Sequence, residues 1–408
     1  MSARSPSSPG LQTNPSGSGQ APPRSDEFTG ARDRGGEPGR GALLPRPQHE
    51  FRATVLVTAA GGPGAVNMTR SLELDPGLRL YGCDASPTYV HLARMPHKAL
   101  VPRSSDVEAY LGAINHLCER WGIDVVLPNN SLEAHTLSLH RERLGARVWL
   151  PSPPVLDLAN SKWQSYLRWR DAGLPVPESW LLESREDLAR VFLAHPGRPI
   201  WVRGAGIPGK GIGGAALPCR SLAQAEAWVD FYSGWGGMMA SEYLPGDNLT
   251  WIGLFERGRL ITSASRIRHA YVIPHVSPSG ITGAPAVSEI VHRPELNPLA
   301  LEAALTLDPE LTGVSFLDFK CDASGAPRIT EMNAGRFGTT HHFYSAAGLN
   351  LPAMAVRLCM GVPLEPAPPV FDALPAGLIW IRTLDAGPVL ITRAELDRMA
   401  LDLRADRV

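Results

Sequence analysis

Two carboxylates and an amide stand close together late in the 408-residue chain, at Asp318, Glu331 and Asn333. The segment around them, "GVSFLDFKCDASGAPRITEMN", reads as a β-hairpin turning at Ser324-Gly325, because two strand-like runs flank a short polar turn. Asp318 and Glu331 lie thirteen residues apart, so closing the hairpin brings their strands side by side. Asn333 shares a face with Glu331, since strand side chains repeat every two residues. Two hard anions and an amide oxygen on one surface suit Mg²⁺, which takes oxygen ligands and keeps positions for phosphates. Spacing alone leaves a second reading open, three solvated polar residues on an exposed strand face.

Other segments carry chemistry of their own. Arg266 and Arg268 in "SRIRHAY" face one way on a strand and either hold a substrate carboxylate or phosphate or form a solvent-facing basic strip. "SPSGITGAP" combines hydroxyls and glycines in a loop, which makes Ser279 and Thr282 candidates for substrate contact. His341 and His342 are adjacent and point apart, with no third ligand nearby, so a pocket or structural role fits them better than a metal. "TAAGGPGAVN" lacks the G-x-G-x-x-G spacing and Asp84 is an ordinary strand-end acid, which argues against a nicotinamide site.

The elements that position these residues follow from texture. Residues 1–50 are rich in Ser, Pro, Gly and Arg without apolar periodicity and read as a disordered tail. From Ala53, "ATVLVTAA", "LRLYGCDA" and "IDVVLPNN" alternate with helical stretches, the pattern of a parallel sheet with crossover helices over 51–155, closed by a further strand at "GARVWLPSP". "LANSKWQSYLRWRDAGLPVP" reads as a capped helix ended by Gly173, opening a second unit over 156–246 in which strands flank a glycine-rich loop. A third α+β unit spans 247–366, with strands turning at Arg257-Gly258, a helix at "RPELNPLALEAALTLD" and the acidic hairpin. The extension over 367–408 offers a strand at "AGLIWIRTL" and an amphipathic helix at "TRAELDRMALDLRA".

Composition narrows the partners. With 39 Lys+Arg against 40 Asp+Glu, no net field draws nucleic acid or an anionic membrane. No apolar run reaches the roughly 18 to 20 residues of a membrane span. The five cysteines form no C-x-x-C pair and are odd in number, which favours a reducing cytoplasm.

The order of motifs resembles the ATP-grasp superfamily, most closely its carbamoyl-phosphate-synthase-like and carboxylate-amine ligase branches. Four stretches carry the resemblance in order: the lysine-bearing helix, the glycine-rich loop, the hinge "EYLPGDNLT", and the hairpin running into "TEMNAGR". The resemblance implies a parallel-sheet pre-ATP-grasp domain, a small α+β lid and a C-terminal α+β domain, binding ATP and Mg²⁺. By the same resemblance Lys162 reaches the phosphates, and Gly209, Lys210, Gly211 and Gly213 belong to a flap over them. Arg203 stands where most relatives carry lysine, keeping the charge with a different geometry. Glu242, Tyr243 and Leu244 line adenine, while Asp247 accepts from the ribose or is a plain turn acid. Arg336 balances charge on the transferred phosphoryl group, and Gly62 and Asn67 help cradle the acceptor.

The implied reaction is ATP-dependent phosphorylation of a carboxylate and its ligation to an amine, on an amino acid or small peptide, with dimerisation common among relatives. Activation of carbonate or carbamate, and a non-catalytic ATP-binding regulator, are the competing readings.

Overall fold

The alternation of strands and helices that opens the folded region builds a parallel sheet in the computed structural model, which describes residues 51–210, 215–281 and 284–383 together with residue 398. Strands β1 (Ala53–Val57), β2 (Leu78–Asp84), β3 (Lys98–Leu100) and β4 (Val125–Leu127) lie in the order β3-β2-β1-β4, with every neighbour parallel. Helix α1 (Pro63–Leu72) starts on a proline, whose missing N–H costs nothing in the first turn. α2 (Val107–Trp121) is capped by the Asp106 carboxylate and ends on left-handed Gly122. Asp84 accepts from the N–H groups of Gly61 and Ser86 at 3.0 and 2.8 Å, so it braces the glycine turn that follows β1. No strand forms at "GARVWLPSP". Arg147 makes one isolated parallel bridge to Val125, and three-residue β4 followed by three prolines among residues 151–154 gives no length for a ladder.

Helix α3 (Ser131–Leu139) carries Glu133 into the core of this unit, where it is 5% exposed. Burial pushes its carboxyl up to about 7, with the Thr58 hydroxyl donating to it at 2.6 Å in opposition and nearby Asp84 reinforcing the rise. The folded chain therefore keeps a proton that the unfolded chain releases between about pH 4.5 and 7. Stability falls as pH rises through that window, by up to about 3 kcal/mol, and levels off above it. Glu133→Gln removes this fall, and the difference between wild-type and variant melting curves at pH 5 and pH 8 measures it.

The expected single helix around Lys162 is two. α4 (Pro153–Asn160) stops at Ser161, which is extended and accepts from the Gln164 N–H to start α5 (Lys162–Asp171). The Trp163 N–H finds the Ala205 carbonyl instead of a helical partner, which fixes the break. The second unit contains β5 (Ser179–Leu182), α6 (Arg185–Ala194), β6 (Ile200–Gly204), β7 (Ala216–Cys219), α7 (Leu222–Phe231) and β8 (Met238–Glu242). Its four strands form an antiparallel sheet in the order β5-β8-β6-β7, covered by α6 and α7 through Leu188, Val191, Ala225 and Val229.

The third sheet has six strands in the order β13-β12-β9-β10-β11-β14. They are β9 (Asn248–Glu256), β10 (Arg259–Tyr271), β11 (Pro285–Ile290), β12 (Gly313–Cys321), β13 (Pro327–Ala334) and β14 (Ile379–Ile381), with α8 (Leu296–Leu307) between β11 and β12. Alternation divides its faces. Trp251, Phe255, Leu317, Phe319 and Met332 pack with Trp169 of α5 and Leu296, Ala300 and Ala303 of α8 in one core. Two indole hydrogen bonds pin this layer, Trp169 to the Ala303 carbonyl at 2.8 Å and Trp251 to Asn297 at 3.0 Å. The intervening residues, among them Thr250, Asp318 and Glu331, are left for the opposite face. Beyond β13, α9 (His341–Ala346) and α10 (Leu351–Cys359) run back towards α1.

All five cysteines are free thiols. Among the described residues no helix is long and apolar enough to cross a membrane. Apart from residue 398, the helix expected at "TRAELDRMALDLRA" lies outside the described residues.

Candidate active site

Strand register assembles the site. Glu331 of β13 pairs with Asp318 of β12, Asp318 with Thr250 of β9, and Thr250 with Arg266 of β10, so four side chains form one row across the sheet. A bulge beside Asp318 lets the Thr330 hydroxyl donate to the Asp318 carbonyl at 2.8 Å. The Thr250 hydroxyl donates to Asp318 Oδ1 at 2.7 Å, and Arg268 Nη1 stands 3.5 Å from Oδ2. Glu331 Oε2 faces Lys162 Nζ at 3.5 Å and Arg203 Nη1 at 3.4 Å. Arg203 also donates from Nη2 to the Thr330 carbonyl at 2.6 Å, joining β6 to the acidic hairpin. Arg336 donates to Asn333 Oδ1 at 2.9 Å and to Ser131 Oγ at 2.8 Å, tying the hairpin to the start of α3.

Lys162 owes its place to the break at Ser161. Gly206, at φ +68°, lies so close that a Cβ there would meet the Asn160 carbonyl oxygen at 2.4 Å and the Lys162 nitrogen at 3.2 Å. We expect Gly206→Ala to displace the start of α5, costing about 1–3 kcal/mol of stability. It should weaken MgATP binding about tenfold through the lost charge-assisted contact, read by calorimetry against the wild type.

Electrostatics separates the paired acids. Burial raises the Asp318 carboxyl above its ordinary range, with Arg268 opposing and Glu331 adding to the rise. Burial pushes Glu331 the same way, but Lys162, Arg203 and Arg268 outweigh it and hold that carboxyl below its ordinary range. His341 is pressed by burial down to about 3, against the pull of the Gly338 carbonyl and helped by Arg266 and Arg336. Its Nδ1 lies 3.2 Å from that carbonyl, which can only accept, so Nδ1 carries the proton and Nε2 is a bare acceptor.

These residues surround a cavity of about 440 Å³, within the range of small-ligand sites. Lys162, Arg203, Arg266, Arg268, Lys320 and Arg336 supply its cations, and Asp318, Glu331 and Asn333 its oxygen ligands. Glu242, Tyr243, Leu244 and Ser279 also line it. The Glu242 side chain accepts from the Glu178 N–H at 3.2 Å, bracing the hinge.

Several candidates stand elsewhere. Asp247 is exposed and Gly209 and Lys210 lie on the surface outside the lining, while Gly211, Gly213 and Thr282 fall outside the described residues. Gly62 precedes α1, and the Asn67 amide is spent on the carbonyls of Pro63 and Thr339 at 3.1 and 3.0 Å, so this pair braces α1 rather than lining the cavity. Thr250, Thr330 and Ser131 escaped the sequence reading, because their partners are fixed by cross-strand and interunit contacts.

The donor set fits Mg²⁺. Each carboxylate meets its cations at 3.4 to 3.5 Å, looser than a direct charged hydrogen bond, which leaves lone pairs of both acids open to a hard ion, and Asn333 Oδ1 keeps its second lone pair beside the bond from Arg336.

No family model matches the chain. A D-alanine–D-alanine ligase of Laribacter hongkongensis is 28% identical over 207 residues, covering 49% of this chain and 64% of that ligase, so the match spans less than two thirds of the relative's length. The biotin carboxylase domain of Hydrogenobacter thermophilus 2-oxoglutarate carboxylase, solved as a dimer with MgADP, ADP and bicarbonate, superposes with a TM-score of 0.59 at 18% identity, over 81% of this chain and 74% of that one. N5-carboxyaminoimidazole synthetase from Staphylococcus aureus gives 0.58 at 15% identity, over 81% and 80%. Likeness at this identity shows the fold: with its parallel sheet, small antiparallel sheet and six-stranded sheet, the chain shares the architecture of these two enzymes, the ATP-grasp fold.

Proposed function

We propose that the chain is an ATP-dependent ligase that phosphorylates a substrate carboxylate and joins it to an amine, releasing ADP and phosphate. The observation that carries this reading is the convergence of Asp318, Glu331 and Asn333 with Lys162, Arg203 and Arg336 on one cavity. Asp318, Glu331 and Asn333 would hold Mg²⁺, which supplies charge neutralisation at the phosphoryl oxygens. Lys162 binds phosphate as a point charge, and the edge at Glu242–Leu244 receives the base. Arg336, held by Asn333 and Ser131, orients the carboxylate. A carboxylate oxygen takes the γ-phosphoryl group from ATP and ADP leaves. The amine nitrogen then bonds to the acyl carbon while phosphate departs with the C–O electron pair and the amine proton passes to solvent. No serine or cysteine nucleophile is needed.

An amino acid or small peptide is the substrate class we favour, supported by the relative named for joining D-alanine to D-alanine. A homodimer in the cytoplasm belongs to the same proposal, supported by the free thiols and by the dimer described for the Hydrogenobacter domain. The test is a phosphate-release screen of paired acids and amines with product mass spectrometry. ADP formation that needs bicarbonate and no added acid would instead favour carbonate activation, and tight ATP binding with no ADP from any pair would favour a regulator.

A further inference from the structure

Five cations of the cavity have a clear task. Lys162 and Arg203 face Glu331, Arg268 faces Asp318, Arg336 holds Asn333, and Lys320 donates to the Gly246 carbonyl. Arg266 differs. It is 7% exposed and lines the same cavity, yet among the described residues its only hydrogen bond goes to a neutral group, from Nη1 to Thr340 Oγ1 at 2.6 Å. Among the described residues its Nε is buried and unpartnered, as are those of Arg203 and Arg268, but those two each face an acid. The guanidinium is gripped between the rings of Tyr344 and Trp380, with centroids at 5.8 and 5.5 Å. A buried cation without an acid is costly to hold, and aromatic faces offset only part of that cost.

The position of Arg266 sets it apart from the metal ligands. It stands two strands from Asp318 across the row through Thr250, about 10 Å between backbones. Its clamp turns the head towards α9 and β14, whereas Arg268 turns to Asp318. A carboxylate lying at the metal acids for phosphorylation meets Arg268 first, and the clamp places Arg266 for a group further along the cavity. A second unsatisfied group lines the cavity beside it. His341 is 2% exposed, and among the described residues its bare Nε2 has no partner, open to an N–H donor.

We propose that Arg266 seats an anionic group carried by the amine substrate, a carboxylate or a phosphonate-like anion, while His341 Nε2 accepts from that substrate's amine. The acceptor is then an amino acid or its phosphorus analogue. This rests on the ligase reading for what happens next, but binding itself can be tested apart from turnover.

The test uses the full chain with MgADP and a panel of amino acids, their carboxamides and the matching aminoalkyl phosphonates, followed by thermal melting and calorimetry. Amino acids should raise the melting temperature and their carboxamides should not. The phosphonates decide which anion the seat prefers. Arg266→Met should weaken amino acid binding about 10- to 100-fold, with Arg266→Lys intermediate. The free Arg266→Met protein should melt no lower than wild type, which excludes misfolding as the cause of the loss. Carboxamides binding as well as acids, no panel member binding, or wild-type affinity in Arg266→Met would each overturn the proposal. Binding intact with no ADP from any acid and amine pair would count against the ligase reading alone.

Discussion

Glu331→Gln should lower ADP formation about 10³-fold below wild-type turnover, roughly 4 kcal/mol of lost transition-state stabilisation, in a coupled ADP assay. The same substitution should also be felt in the resting protein. Lys162, Arg203 and Arg268 all act on this one carboxylate, so a neutral amide removes the anion that Lys162 and Arg203 face while Arg268 keeps Asp318. The side chain is 26% exposed, and we expect a loss of about 3 kcal/mol in the urea unfolding free energy. Because ATP brings anionic phosphates to the same cations, adding nucleotide should restore part of that stability even where turnover is gone. Wild-type ADP production by Glu331→Gln would remove the metal role of the hairpin.

Arg203→Met should lower kcat by about 10²-fold, because it removes both a phosphate-facing charge and the bond that draws β6 onto β13. Arg203→Lys separates the two contributions. A lysine there keeps the charge near Glu331 but places all its donors on one nitrogen, without the guanidinium fork that reaches Glu331 and the Thr330 carbonyl from two. We expect KM for ATP to return to within about threefold of wild type while kcat stays about tenfold down, the signature of a misplaced hairpin rather than weak nucleotide binding. Equal recovery of both constants would make Arg203 a simple substitute for the lysine usual at that place.

Legibility in the sequence followed the range of the contacts. The acidic hairpin could be read because its partners are thirteen residues apart and joined by a turn with clear chemistry at Ser324-Gly325. Lys162 and the hinge at Glu242–Leu244 were readable through motif order, which stood in for geometry. The row linking Asp318 to Thr250 and Arg266 was hidden, since it depends on which strand lies beside which, a non-local choice no local pattern fixes. The lone helix expected around Lys162 misled for the opposite reason. Good helix formers flank Asn160-Ser161 on both sides, and the Ser161 cap, the tertiary bond from Trp163 to Ala205 and the approach of Gly206 together divide it.

The short last strand alters how the chain may be divided. A version cut after residue 366 would keep every oxygen ligand, Lys162 and the hinge, yet it would lack β14. With β14 go Trp380, one jaw of the Arg266 clamp, stacked on Phe343 at 4.1 Å, and Arg382, which donates to the Thr339 carbonyl at 2.7 Å and to its hydroxyl at 2.8 Å. The acceptor seat would thus be shared, with Arg266 and His341 inside the stretch that handles nucleotide and Trp380 beyond it. Changes in the later stretch alone offer a route to retune the seat without touching the residues that meet ATP.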